Sequence, residues 1–422
     1  MPAFIFPGQG AQRTGMGRPW RDHPSWDVIQ DASNLAGRDL GYLLLDASSE
    51  ELAETPTAQL ATFLMSLVVL DAVERLGIEP TVCAGHGLGE YAALVAAGGI
   101  GFEDAIRLVT ERGEAMQEAA DESPGVMLAL AGVDDEIARI SCRRADGDVW
   151  LAYSNAPGEC VIAGRAEVAE RAVQVAFELG ATRVSALPSN GAFHTPLMAA
   201  AQPRLRKALE STSFYALAVP VVANVDALPH DAASEWASLL SAQLRSPVRW
   251  RQSVLSVAAI LRTAEWDGDG LFCELGPPGN LSSLVRATLP EAITVTVSVP
   301  DDLDRLVETF TGGPSVPGGE LAAEGHQGER LYLSERLIVS PSAGIFDLPE
   351  VTDADSNGPS ALPGHPGSEH PMVGREVSIG DLVGTVSGAE VRSPFAGQLI
   401  GVLAHPGERV QAGQPIAWLR SP

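Results

Sequence analysis

Residues 81–95, Thr-Val-Cys-Ala-Gly-His-Gly-Leu-Gly-Glu-Tyr-Ala-Ala-Leu-Val, constrain the fold more than any other stretch. An apolar lead-in, Val82 to Ala84, runs into Gly85-His86-Gly87-Leu88-Gly89, and Glu90 to Val95 continue with a helical pattern. A strand that turns sharply into a helix has this form when the turn presents a nucleophile. The centre of such an elbow is strained and its backbone passes close to the substrate, so its flanks must be small. Acyl-transfer chemistry there needs a Ser at the centre. Position 87 is Gly, so the stretch has the architecture of that site and lacks its nucleophile.

At 422 residues the chain is long enough for two or three domains, each with its own core. The formal net charge of -26 argues against nucleic acid and against an anionic membrane as partners. Lys207 is the sole lysine. The cysteines Cys83, Cys142, Cys160 and Cys273 have neither metal-ligand spacing nor a disulfide pattern, which fits a reducing, cytoplasmic setting. The N-terminal MPAFIFPGQG has no basic leader, and no apolar run is expected to reach the roughly 20 residues that span a bilayer.

Around the elbow the pattern is α/β. Residues 3–6 read as a buried strand followed by the Gly-rich loop Pro7-Gly8-Gln9-Gly10. Helices are expected over 25–33, 48–76, 102–116, 196–209, 233–244 and 248–261, with strands at 219–225, 271–275 and 294–297 and a last helix at 302–310. Between 124 and 190 the order is βαββαβ, that of a ferredoxin-like subdomain inserted into the larger body of 1–310. Residues 311–328 are rich in Gly, Pro and Ser and read as a linker. The segment 329–422 repeats itself: Ser340-Pro341-Ser342-Ala343-Gly344 parallels Ser393-Pro394-Phe395-Ala396-Gly397, and Val377 to Val383 parallels Val410 to Ile416. Two such copies predict a small β domain, with residues 351–370 as a flexible insertion.

Several separated motifs recur in a fixed order: Phe6-Pro7-Gly8-Gln9-Gly10, Gly85-His86-x-Leu88-Gly89-Glu90, Arg112-Gly113-x-x-Met116, Asn155 before Val161-Ile162-Ala163-Gly164, Gly191-Ala192-Phe193-His194, Gln243 before Pro247-Val248-Arg249-Trp250, and Glu274-Leu275-Gly276-Pro277. With them residues 3 to about 300 resemble the malonyl-CoA:acyl-carrier-protein transacylases and polyketide synthase acyltransferase domains. The resemblance implies a parallel-sheet, hydrolase-like body and a ping-pong mechanism through an acyl-enzyme. His194 would be the base, and the backbone carbonyl of Gln243 would orient it. The N–H groups of Gln9 and Leu88 would form the oxyanion hole. Arg112 would grip the malonyl carboxylate as a fork. Phe193 would restrict branching, and His86 and Asn155 would support or touch the substrate. Malonyl-CoA and an acyl carrier protein are the implied ligands.

The 329–422 segment resembles the barrel-sandwich hybrid fold of biotinyl and lipoyl carriers. The attachment Lys of those carriers would stand near Ser387-Gly388-Ala389, and 329–422 contains no Lys. Covalent biotin or lipoate, and any other cofactor, is therefore not expected; the domain would dock a partner or cover the cleft. With Gly87 at the elbow three functions stay open. One is binding of an acyl thioester or carrier protein without transfer. Another is His194-dependent hydrolysis, decarboxylation or cyclisation of a carrier-bound thioester. The last is an active malonyltransferase whose Ser has been engineered to Gly. Cys83 is expected to be buried and not to replace the Ser.

Overall fold

The structure is a computed structural model that describes residues 2–263, 270–310, 335–339, 344–348, 375–377, 381–393, 397–402, 404, 406–410 and 415–420. The chain forms two compact units, Met1–Val316 and Pro317–Pro422. The expected linker at 311–328 and insertion at 351–370 lie outside the described residues.

In the first unit β1 (Pro2–Phe6) and β2 (Val82–Gly85) precede an inserted group, β3 (Val126–Ala131), β4 (Val149–Ala156), β5 (Glu159–Gly164) and β6 (Arg183–Ala186). The chain then returns through β7 (Val221–Val222), β8 (Pro229–His230), β9 (Leu271–Leu275) and β10 (Ile293–Val297). The main sheet has the order β10-β9-β1-β2-β7-β8, parallel except for the β7–β8 edge pair. Every residue of β1, β2 and β9 is buried. Strands covered on both faces read as continuous apolar runs, which is what Ala-Phe-Ile-Phe is. Their alternation splits the core in two. Phe4, Phe6 and Cys83 face one cluster with the helix Thr55–Arg75. Ala3, Ile5, Val82 and Ala84 face another with the helices Trp250–Thr263 and Leu281–Thr288. Burying each Phe contributes roughly 1.5–3 kcal/mol.

The structure corrects several expectations. Thr55–Arg75 is a helix of 21 residues, long and apolar enough by length and composition to cross a membrane. It is instead buried nearly all round within the body, where a core helix needs no polar face. The segment 48–54 before it contributes only a short 3-10 turn, Glu51–Ala53. The expected strand at 219–225 pairs only at Val221–Val222. The segment 196–209 divides into a 3-10 stretch, Pro196–Ala201, and the helix Gln202–Glu210, which carries Pro203 in its first turn, where a missing N–H costs nothing. The Arg112 helix runs from Phe102 to Glu122, beyond the expected end at 116.

The inserted strands form an antiparallel sheet of order β4-β5-β3-β6. Its helices Asp135–Ala145 and Ala166–Glu178 share a small core with Leu130, Val149, Leu151 and Ile162. A bridge from Tyr153 to Val248 joins the insert to the body.

Among the described residues the second unit contains two antiparallel sheets. One has the order β11-β18-β16-β13 (Glu335–Val339, Pro415–Arg420, Gly397–Val402, Glu376–Val377), and the other β15-β14-β12-β17 (Ala389–Arg392, Leu382–Val386, Gly344–Asp347, Arg409–Val410). Ile338, Phe346, Val383, Val386, Leu399, Val410 and Ile416 form its core. The β14–β15 hairpin turns through Ser387 (φ 48°) and Gly388 (φ 84°), the two positive angles of a tight two-residue loop. Parts of the repeated motifs, 340–343, 378–380, 394–396 and 411–414, lie outside the described residues.

Candidate active site

Gly87 stands between β2 and the helix Gly89–Ala96 with φ 57°. The flanking glycines allow backbone to meet backbone. A Cβ at Gly89 would stand 2.1 Å from the Phe6 carbonyl oxygen, so the elbow is wedged against the end of β1. A Cβ at Gly87 would meet only His194, at 3.3 Å from Nε2 and 3.7 Å from Cε1. The position where a nucleophile's side chain would begin therefore faces the imidazole.

His194 is itself a non-Gly residue at φ 59°. Its Nδ1 lies 2.9 Å from the backbone oxygen of Gln243. A carbonyl can only accept, so Nδ1 carries the proton and Nε2 is left as an acceptor toward Gly87. Burial, and then the positive charge of Arg112, lower the His194 pKa to about 3, against the hydrogen bond to Gln243 that raises it. The imidazole is neutral at neutral pH. The ring of Tyr153 stands against it at 5.4 Å between centroids.

Arg112 is 1% exposed. Its Nη1 donates to Oε1 of Gln59 at 2.7 Å, and its Nη2 donates to Oε1 of Gln243 at 3.0 Å. Its Nε has no partner among the described residues, and its guanidinium lies over the Tyr91 ring at 5.5 Å. Both of its bonded acceptors are neutral amides. Gln59 continues to Gln9, donating from Nε2 to Oε1 at 3.3 Å.

One buried carboxyl group ties these parts together. Glu90 is 1% exposed; its Oε1 accepts from the Asn224 backbone N–H at 2.6 Å and its Oε2 accepts from Nε2 of Gln243. The same Gln243 Nε2 donates to the Gly87 carbonyl at 2.9 Å. Asn224 Oδ1 accepts from the Gly87 N–H at 2.7 Å, and Asn224 Nδ2 donates to the Gly85 carbonyl at 2.6 Å. Both backbone groups of Gly87 are thus held by side chains that hang from Glu90. Burial pushes the Glu90 carboxyl up to about 8, while its two donors and Arg112 pull the other way. Gln59, Asn224 and the role of Glu90 were not legible in the sequence. Glu90 sits in a recognisable motif, but a buried polar partner on a helix has no periodicity of its own.

The remaining expected residues line a cleft of about 380 Å³ between the Pro7–Ala11 loop, β3, β4 and Gly279–Leu284; Gln9, His86, Asn155 and Phe193 all face it. His86 Nε2 and Asn155 Oδ1 are 3.0 Å apart, and the His86 ring stands edge-on to Tyr153. This pairing makes His86 and Asn155 mutual supports at the cleft wall. The backbone N–H groups of Gln9 and Leu88 have no acceptor among the described residues. Leu88 buries its side chain in the core, so it offers the site only its backbone. Gly87, Arg112 and Gln243 are not on the cleft lining. His194 is reached instead from a second cleft, of about 400 Å³, with Trp150, Arg139 and Arg245. Cys83 is fully buried and its thiol pKa is pushed up by burial, so it stays protonated and out of reach. Among the described residues no group of three His, Cys, Asp or Glu side chains could hold a metal ion.

Residues 3–300 match the acyl transferase domain family. The chain is 36% identical over 316 residues to a malonyl CoA-acyl carrier protein transacylase of Bacillus subtilis, covering 73% of this chain and 96% of that protein. Its fold is similar to an acyl carrier protein S-malonyltransferase of Vibrio cholerae, with TM-score 0.67 and 35% identity over 72% of this chain and 99% of that one. It is likewise similar to a malonyl-transacylase solved in complex with its type II polyketide acyl-carrier protein, with TM-score 0.68 and 34% identity over 73% and 99% of the two chains.

Proposed function

This chain belongs to the acyl transferase domain family, and on that premise we propose that it binds a malonyl thioester, of coenzyme A or of an acyl carrier protein, without forming an acyl-enzyme. The observation that carries this reading is Arg112. A guanidinium that is 1% exposed, bonded only to neutral amides and with Nε unpaired, is expensive to bury unless an anion completes it. The free carboxylate of a malonyl group is such an anion, and its two oxygens suit a planar fork. Phe193, 3% exposed, narrows the cleft that Gln9, His86 and Asn155 line. The acyl-enzyme step needs a side-chain oxygen at position 87, and Gly87 has none.

We read the insert at 124–190 as ferredoxin-like from its strand order, and the second unit as a relative of biotinyl and lipoyl domains that carries no attached group, because 329–422 has no Lys. The setting is cytoplasmic fatty-acid or polyketide assembly. Titration calorimetry tests the site: malonyl-CoA should bind about 30-fold or more tighter than acetyl-CoA, the worth of a charge-assisted bidentate contact. Equal affinities for the two would sink the Arg112 assignment.

A further inference from the structure

We propose that the space between Gly87 and His194 Nε2 positions a water molecule that attacks the bound malonyl thioester directly, making this protein a hydrolase of malonyl thioesters of phosphopantetheine thiols. The proposal rests on the binding reading above and goes beyond it. A Cβ at Gly87 would touch nothing but the His194 ring, at 3.3 Å from Nε2. A small group on that side of the ring is therefore met by one protein atom able to accept a proton. Nδ1 is committed to the Gln243 carbonyl at 2.9 Å, so Nε2 is the free acceptor. The ring is neutral at neutral pH, as a base must be. The Gln9 and Leu88 N–H groups have no acceptors among the described residues, and they sit on two loops pressed together closely enough that a Cβ at Gly8 would stand 2.3 Å from the His86 carbonyl oxygen.

The step balances with water as the only co-reactant. The water oxygen forms a bond to the thioester carbonyl carbon, and its proton passes to His194 Nε2. The carbonyl oxygen takes up the electron pair between the Gln9 and Leu88 N–H donors. As the intermediate collapses the C–S bond breaks, and His194 returns the proton to the sulfur. The products are malonate and the free thiol, and no bond to the protein forms. The same geometry disfavours loss of carbon dioxide. Decarboxylation proceeds best when the carboxylate is stripped of partners, whereas Arg112 would hold that carboxylate as an ion with its unpaired Nε.

The test follows malonate release from malonyl-CoA, and from a malonylated acyl carrier protein, in water enriched in oxygen-18. One heavy oxygen should appear in malonate, with no malonyl adduct on the protein in intact-mass spectra. Release from either substrate supports the proposal, and the ratio of the two rates tells which thiol carries the natural substrate. His194→Gln should slow release about 10²–10⁴-fold, the usual worth of a positioned base. Gly87→Ala, whose methyl group would stand 3.3 Å from His194 Nε2 and crowd the water beside it, should slow it at least about tenfold. The proposal is overturned if malonyl-CoA binds but neither substrate yields malonate faster than with His194→Gln, if Gly87→Ala hydrolyses at the parent rate, or if the product is an acetyl thioester. In these three cases the binding reading survives. If malonyl-CoA does not bind at all, it is that reading which has failed.

Discussion

Two turns in this chain would each hold a reactive side chain if the proposed readings of the two units hold: the elbow at Gly87 and the hairpin at Ser387-Gly388. Both are sharp, both rest on positive φ, and both have small residues where a reactive side chain would stand. Their surroundings differ. Around Gly87 five polar residues, Gln59, Glu90, Arg112, Asn224 and Gln243, are at most 1% exposed and are joined by hydrogen bonds. Around Ser387 residues 387–390 are exposed, and the contacts are those of the turn, Ser387 N–H to the Ile345 carbonyl and the Ile345 N–H to Ser387 Oγ. A buried polar network costs free energy wherever it is incomplete, so it stays only where something uses it. The exposed turn is tied to its neighbouring strand by two bonds to Ile345. The first turn thus sits inside a joined, buried polar network, and the second at an exposed strand end.

Restoring the missing oxygen tests the contrast most sharply. Gly87→Ser should convert the protein into one that takes up a malonyl group from malonyl-CoA, with a gain of about 10³-fold or more in adduct formation seen by intact-mass spectrometry. The new Cβ would lie 3.3 Å from His194 Nε2, and the strained φ is already held from both sides by Asn224 and Gln243. If Gly87→Ser folds, binds malonyl-CoA and stays unlabelled, the supports around the elbow are no longer a transferase scaffold.

His194 gives the next largest effect. Its folded pKa is near 3 against an ordinary 6.5, so between these values the unfolded chain binds more protons than the native one. Stability therefore rises with pH across that window and is lost as pH falls through it, by on the order of a few kcal/mol. Urea unfolding midpoints of the parent should drop more between pH 7 and pH 4.5 than those of His194→Gln. Parallel pH dependence in the two proteins would mean that His194 is not held neutral by its burial.

Glu90→Gln comes third. An amide can accept from only one of the two donors that face Glu90, the Asn224 N–H or Gln243 Nε2, and the other is left unpaired. The expected cost is about 1–3 kcal/mol in urea unfolding. Affinity for malonyl-CoA should weaken as well, because Gln243 also holds Arg112. A variant as stable as the parent, with unchanged affinity, would separate Glu90 from the elbow.

The two turns also mark what a sequence reveals. The centre of the main sheet was legible because β1, β2 and β9 are apolar on both faces, and His194, Gln243 and Arg112 because each sits in a short motif with its own spacing. What the sequence hid was whatever tertiary burial decides. Thr55–Arg75 is apolar all round because the body encloses it, so composition alone cannot tell it from a membrane span. Gln59 lies on that helix among apolar neighbours, and only the fold brings it to Arg112, 53 positions away. Val219–Val225 has the composition of a strand, but only Val221 and Val222 pair as one, with β2 on one side and β8 on the other. Pairing is a property of the neighbour as much as of the segment.

The smallest effect belongs to the hairpin. Gly388 at φ 84° has nothing within 4 Å of where a Cβ would stand, so Gly388→Ala introduces no clash and only the strain of a left-handed conformation, about 1 kcal/mol. Hydrogen exchange of the amides in Leu382–Val386 and Ala389–Arg392 should accelerate about fivefold, while malonyl-CoA affinity stays at the parent value. The paired outcome is what distinguishes the two turns. A change of one methyl group at Gly87 meets His194 directly and reaches Gln243 and Arg112 through shared hydrogen bonds, whereas the same change at Gly388 meets nothing within 4 Å. If Gly388→Ala altered malonyl binding, the hairpin would be coupled to the site after all, and its lack of a reactive side chain would need the same explanation as that of Gly87.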